Sequence, residues 1–193
     1  HVVARAPDQQ RITDGSHEFR NWGTQMSFKH NFPKSGHELT ADVTLQNGRN
    51  ENNTLITSNF FDASGAFDRI YRQQQSGSGK NRNLIIQTDY VKPLSDNSKI
   101  ELGARTAIRN VNSATDYFII SPNGAKTPIT SQNILFNSKD QVYAAYATFS
   151  NRIKNFGYQL GLRAESSNYE GELVGKNETF KIEFPISLFP SVF

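Results

Sequence analysis

From Phe19 onward the chain alternates. Trp22, Thr24, Met26, Phe28 and Phe32 fall on one set of positions, while Asn21, Gly23, Gln25, Ser27, Lys29 and Asn31 fall on the other. This is the period-2 signature of a strand with one apolar and one polar side. Pro33-Lys34-Ser35-Gly36 stops it with turn residues. Three further runs repeat the pattern: Leu39 to Leu45 against Thr40 to Gln46, Leu84 to Tyr90 against Ile85 to Val91, and Ile100 to Ile108 against Glu101 to Arg109. Tyr143, Ala145, Ala147 and Phe149 form a less clean arm. After the polar stretch Asn151 to Asn155, Phe156, Tyr158, Leu160, Leu162 and Ala164 alternate with Gly157, Gln159, Gly161, Arg163 and Glu165. The arms of this last hairpin are about ten residues long, near the ~9–11 that a tilted strand needs to cross a bilayer, and longer than the usual five or six of a globular strand.

The connections sort by length. Short turns follow Phe32, Pro93 and Ser150; long polar segments follow Gln46, Arg109 and Glu165. In an up-and-down sheet this places tight turns at one end and extended loops at the other, the asymmetry of an outer-membrane barrel. Inside the first long segment, Phe60 to Phe67 predicts a small hairpin with an Asp62-Ala63-Ser64-Gly65 tip. The second carries an apolar island at Tyr117 to Ile120 and the loop Ser121-Pro122-Asn123-Gly124. Residues 1 to 18 show no sustained period and are expected to be an extended lead-in, with the barrel segment over 19–193. The final Leu188-Phe189-Pro190-Ser191-Val192-Phe193 reads as the start of a strand, with Pro185 and Pro190 arguing against an uninterrupted closing strand. Ile100 to Arg105 and Tyr158 to Arg163 share the form apolar, polar, Leu, Gly, apolar, Arg, one structural unit used twice, its glycines making room on a polar wall.

Composition narrows the class without choosing it. Hydrophobic residues are 36% of 193 and mean hydropathy is −0.60, so no helix can span a membrane, whereas a barrel, polar on alternate positions, remains open. Fourteen Phe and seven Tyr are many for so polar a chain. There is no Cys, which removes disulfides and thiolate metal sites. The net charge of +3 is spread over both signs, with no Lys/Arg block interleaved with aromatics, so no nucleic-acid partner is expected. The chain starts at His1 without a signal peptide, as a processed chain or a piece of a longer one would.

Candidate chemistry is sparse. Ser76-Gly77-Ser78-Gly79-Lys80 ends like a phosphate-binding loop, but Asn81 stands where Ser or Thr is required, and a flexible Gly/Ser loop is expected instead. Asp62-Ala63-Ser64-Gly65 lacks the further carboxylates of a calcium loop. His1, His17, His30 and His37 have no ligand-like spacing, and His30 and His37 are expected to sit in solvent beside a turn. No nucleophile or paired-carboxylate signature argues for catalysis, and no metal or cofactor is expected. One constellation stands out on the polar positions: Glu101, Arg105, Arg109, Gln159, Arg163 and Glu165. In a barrel these line the lumen, either as a salt-bridged wall or in contact with a plug or passing solute. Trp22, Phe32, Tyr90, Phe149 and Phe156, near strand ends, are candidates for aromatic girdles.

Taken together, SFKHNFPKSG, DYVKPLSDNSKIELGART, YAAYATFSN, the SNRIKNF turn with GYQLGLRAE, and LFPSVF resemble the barrel of TonB-dependent receptors of the Bacteroidetes-type outer-membrane β-barrel family. The resemblance covers most of 19–193. It implies an all-β antiparallel meander within a transmembrane barrel of about 22 strands, located in the cell outer membrane. A plug domain, an energy-transducing complex and a solute of unknown identity are the partners it implies besides lipid. About seven long strands, with no recognisable plug, make the expectation an internal segment of such a barrel. The contrasting expectation is a soluble β-sandwich or lipocalin-like barrel binding a small ligand or glycan, with strands of about five or six residues.

Overall fold

Long alternation becomes long strands. The structure, a computed structural model, describes residues 9–193. Its strands are β1 (Gln9–Asn31), β2 (Glu38–Phe61), β3 (Phe67–Pro93), β4 (Ser98–Ile120), the short β5 (Lys126–Pro128), β6 (Ile134–Ile153), β7 (Phe156–Val174) and β8 (Glu178–Val192), with one 3-10 turn at Thr130–Gln132. They form one antiparallel meander in the order β1-β2-β3-β4-β6-β7-β8, with β5 folded back on β4. The seven expected strands are thus present, plus a three-residue eighth. β1 begins at Gln9, within the stretch read as a lead-in; residues 1–8, including His1, lie outside the described residues.

The strands are far longer than the apolar pattern alone: 23, 24, 27 and 23 residues for β1 to β4. The polar segments expected to be loops are strand in large part. Asn47 to Asn83 is the outer half of the β2–β3 hairpin, closed by the Asp62–Ala66 turn, in which the Asp62 N–H donates to the Ala66 carbonyl at 2.8 Å. Likewise the stretch after Glu165 completes the β7–β8 hairpin. Backbone pairing does not require an apolar face when both sides are wet, so these halves leave no hydrophobic period to read. The Gly/Ser stretch Ser76 to Lys80 is accordingly strand, not flexible loop: Gly77 and Gly79 lie under the side chains of Asn52 and Asn50, and the Ser76 hydroxyl donates to Asn53 Oδ1 at 2.8 Å.

The expected turn tips form as read. Asp62 Oδ1 accepts the amides of Ser64 and Ala66 at 2.8 and 3.0 Å, and Gly65 takes φ +84°, which an L side chain resists. Ser121–Ala125 repeats the design, with Asn123 Oδ1 accepting the Ala125 amide at 3.0 Å and Gly124 at φ +84°.

Contacts group the described residues into two units. One gathers Asn21–Asn47, Asn81–Val111 and Asn137–Phe193; the other gathers Gly48–Lys80 and Asn112–Phe136 with the described part of the first twenty residues. The divisions at Arg20, Asn47, Asn81 and Val111 fall where the alternating apolar positions give out. In the first unit the large hydrophobic side chains are bare: Met26 is 70% exposed, Trp22 61% and Leu160 47%. Among the described residues the only buried hydrophobic side chain is Ala144. A sheet that exposes this much contiguous apolar surface has no core of its own and must be covered by something apolar.

Prolines do not end β8. The backbones of Gln159 and Phe193 exchange both hydrogen bonds at 3.0 Å, and Leu162 pairs with Pro190 three positions along. By the antiparallel alternation, Pro190 falls at a non-hydrogen-bonded pair, where its missing N–H costs β7 nothing. Pro185 falls in a bulge: the register shifts between Glu165 and Ser167, where β8 carries one extra residue. The strand therefore runs through both prolines with one bulge, and Leu188 to Val192 is the end of β8, not the start of a strand as the sequence suggests.

Candidate functional site

Contacts within the first unit assign the faces. Ser27 bonds Asp42 at 2.5 Å, Lys29 pairs with Glu38 at 2.7 Å, and Tyr146 reaches across to Asp89. Tyr146 does so by lying over Gly103, where a Cβ would collide with its ring. Gly161 is covered in the same way by Ser191 and has Thr148 beside it. All of these residues share one face, and strand alternation adds Glu101, Arg105 and Arg109 from β4 and Gln159, Arg163 and Glu165 from β7. The glycines of the repeated unit make room for neighbours, as the sequence pattern suggests. The opposite face carries Phe32, Tyr90, Phe149 and Tyr158, linked by ring contacts, and the bare Trp22, Met26, Leu160 and Leu162.

Within the polar face the six candidate residues fall into separate groups. Arg163 grips Glu165 with two donors, at 2.7 and 3.2 Å, and Ser167 adds a third bond to that carboxylate at 3.3 Å. Glu101 pairs with Lys99 at 2.8 Å. Gln159 sits at the short-turn end opposite Phe193. Arg105 and Glu165 also edge a hollow of about 360 Å³ that opens on the opposite, apolar face among Ile86, Ala104, Tyr143 and Ala164. Arg109 is exposed. The arrangement is two local ion pairs and two further arginines on one side of the sheet, without a convergent pair of titratable groups for acid–base work. A second hollow, about 900 Å³, opens at the short turns among Lys34, Asp96, Lys99, Arg152 and Gln159. Among the described residues no cluster of His, Asp or Glu has metal-ligand geometry.

Two features escape the sequence pattern. The network of Asp89, Tyr146 and Gln87, whose Nε2 donates to Asp89 at 2.9 Å, joins strands that only topology brings together. The second is an inversion at the β7–β8 bulge. On the Phe156 side, Leu160, Leu162, Leu188 and Val192 share the apolar face. On the Val174 side, the extra residue in β8 turns Phe180 over Gly171 and Phe184 edge-on to Tyr169, both on the polar face. Lys181, Glu170 and Glu183 take the other side, with Lys181 2.5 Å from Glu183. The two sides of the hairpin exchange polarity within one bulge.

His37 is not a solvent histidine. It is half-buried, stacked on Phe32 with centroids 4.0 Å apart, and its Nε2 lies 2.8 Å from the Tyr90 hydroxyl. His30 stays exposed and meets Phe32 edge-on at 4.6 Å. The expectation holds for His30 and fails for His37, because the turn at Pro33 to Gly36 returns His37 against Phe32 and Tyr90.

Strands with one bare apolar side and one ion-paired side, turned at one end by short connections, are those of a membrane-spanning β-sheet. The Outer membrane protein beta-barrel family matches residues 30–193. The chain belongs to that family, and its place is the outer membrane. In structure it is also similar to the ferric citrate transporter FecA in its unliganded form, with TM-score 0.44 and 10% identity over 96% of this chain. The chain spans 33% of that transporter's length. No curated protein matches the chain.

Proposed function

We propose that this chain is part of the barrel wall of a TonB-dependent outer-membrane receptor of the Bacteroidetes type, serving energy-coupled uptake of a solute. The observation that carries the reading is the sidedness of the strands. An apolar band roughly ten residues tall, enough to cross a bilayer, backs a face held together by Lys99–Glu101 and Arg163–Glu165. In this reading Glu101, Arg105, Arg109, Gln159, Arg163 and Glu165 line the lumen. The two ion pairs neutralise charge locally, and Arg105 and Arg109 meet the plug domain or the passing solute. The chain is then wall and positioning surface, not catalyst.

The test uses the intact protein in its native membrane. A photo-crosslinking residue at Arg105 should capture the plug segment, and one at Leu160 only lipid. Solute uptake should stop when the protonmotive force is dissipated, because an energy-transducing complex drives it. Uptake that continues unchanged without that force would mean a passive pore and overturn the reading.

A further inference from the structure

We infer that the apolar face at the short-turn end of β1, β2 and β3 holds the phosphate of an anionic phospholipid in the leaflet facing the short turns. The inference rests on membrane residence and not on the transport reading.

The site is assembled by the first turn. His37 is clamped between Phe32, stacked at 4.0 Å and 19°, and the Tyr90 hydroxyl at 2.8 Å. Phe32 in turn meets His30 and Tyr90 edge-on, at 4.6 and 6.1 Å. These rings form a rigid apolar patch where the alternating band ends, the level at which aromatic side chains meet headgroups. Nitrogen-bearing side chains frame it. His30 and Lys92 share the alternation of Phe32 and Tyr90 and so face the same way, both exposed. From the turn, Lys34 donates to the Pro93 carbonyl at 2.8 Å, which fixes its ammonium at the short-turn end with protons to spare.

What the patch lacks is equally specific. The carboxylates of these strands are held on the opposite face: Glu38 by Lys29, Asp42 by Ser27 and Asp89 by Tyr146. Asp96 belongs to the next turn and borders, together with Lys34, the hollow at the short turns. His30 and Lys92, beside aromatic walls on a face that carries none of these carboxylates, complement a phosphate diester, with Lys34 adding a cation from the turn. The acyl chains then run along Phe28, Leu39 and Ala41. Short turns face the periplasm in outer-membrane barrels, so the occupant is a glycerophospholipid of that leaflet and not a lipid of the opposite one.

The experiment titrates the intact, delipidated protein with phosphatidylglycerol, phosphatidylcholine, lipid A and inorganic phosphate, each followed by native mass spectrometry. Phosphatidylglycerol should be retained in preference to phosphatidylcholine. Lys34→Gln with Lys92→Gln should weaken that retention by about 25-fold, at about fivefold per cation near an anionic headgroup. Arg109→Gln, on the other face, should leave it unchanged. Lys92→Gln alone alters one exposed side chain, and unchanged heat-dependent gel migration verifies its fold; it should lose about fivefold. Equal retention of both phospholipids, preference for lipid A, binding of free phosphate only, or full retention by the double variant would each overturn the inference.

Discussion

At Gly103 a single hydrogen in place of a side chain decides what Tyr146 can do. The ring crosses the strand over that glycine and delivers its hydroxyl to Asp89, so the polar face is tied together across three strands by one side chain. Gly103→Val should force the ring aside and cost about 1–3 kcal/mol by overpacking. The check is urea unfolding in lipid vesicles, with Tyr146→Ala and the double variant completing the cycle: the two changes should be strongly non-additive if the ring and the notch are one device. Asp62 offers a pH-dependent counterpart in the turn outside the spanning segment. Its carboxyl accepts the Ser64 hydroxyl and then the Ala66 amide, which hold it below the usual carboxylate range. A lowered folded value means that the turn's stabilisation is present above the unfolded value of about 3.9 and fades as pH falls through the folded one. Amide exchange at Ala66, corrected for intrinsic rates, should therefore accelerate on acidification through that window. Asp62→Asn should flatten the dependence, and an equal acceleration in the variant would remove Asp62 from the explanation.

Each strand reads its environment by alternation. Val43 and Leu160 are exposed on the apolar face, 39% and 47%, and Arg at either should destabilise the folded protein in lipid by about 2–4 kcal/mol. Arg at Thr44 or Gln159, one residue away, should be tolerated; equal costs for both pairs, measured by folding into vesicles, would invert the face assignment. The β7–β8 bulge gives a sharper version. A Trp replacing Leu188 should be quenched by brominated lipid, whereas a Trp replacing Ile182, six residues earlier at the same parity, should not, because the extra residue between Phe184 and Ser187 swaps the sides. Parity alone makes Ile182 and Leu188 equivalent, and this is where sequence reading reached its limit. The strand faces, the turn tips and the room-making role of Gly103 and Gly161 were legible because burial against lipid imposes a period. The outer halves of β2 and β3 were not, since wet strands need none. The place of His37 and the Asp89–Tyr146 bond depend on which strands become neighbours, a property no local pattern contains.

Orientation is the property of the whole molecule that the strands transmit. β2 leaves the Pro33 to Gly36 turn at Glu38 and reaches the Asp62–Ala66 turn after Phe61, 24 residues later. At about 3.3 Å per residue that is far more than a bilayer requires. The unbroken apolar alternation of β2 ends near Leu45, and beyond it Asn50, Asn52 and Asn53 make polar contacts suited to water. An outer-membrane sheet carries its short connections toward the periplasm, so the Ser35 turn is expected to face the periplasm and the Ala63 turn the outside. The absence of Cys from all 193 residues lets single labels report this directly. Ala63→Cys should react with a membrane-impermeant maleimide on intact cells. Ser35→Cys, equally exposed to solvent in its own turn, should react only after the outer membrane is permeabilised. Labelling of Ser35→Cys but not Ala63→Cys on intact cells would reverse the orientation and with it the leaflet assigned to the His37 patch. Labelling of both without permeabilisation would mean that the chain does not divide the two compartments at all.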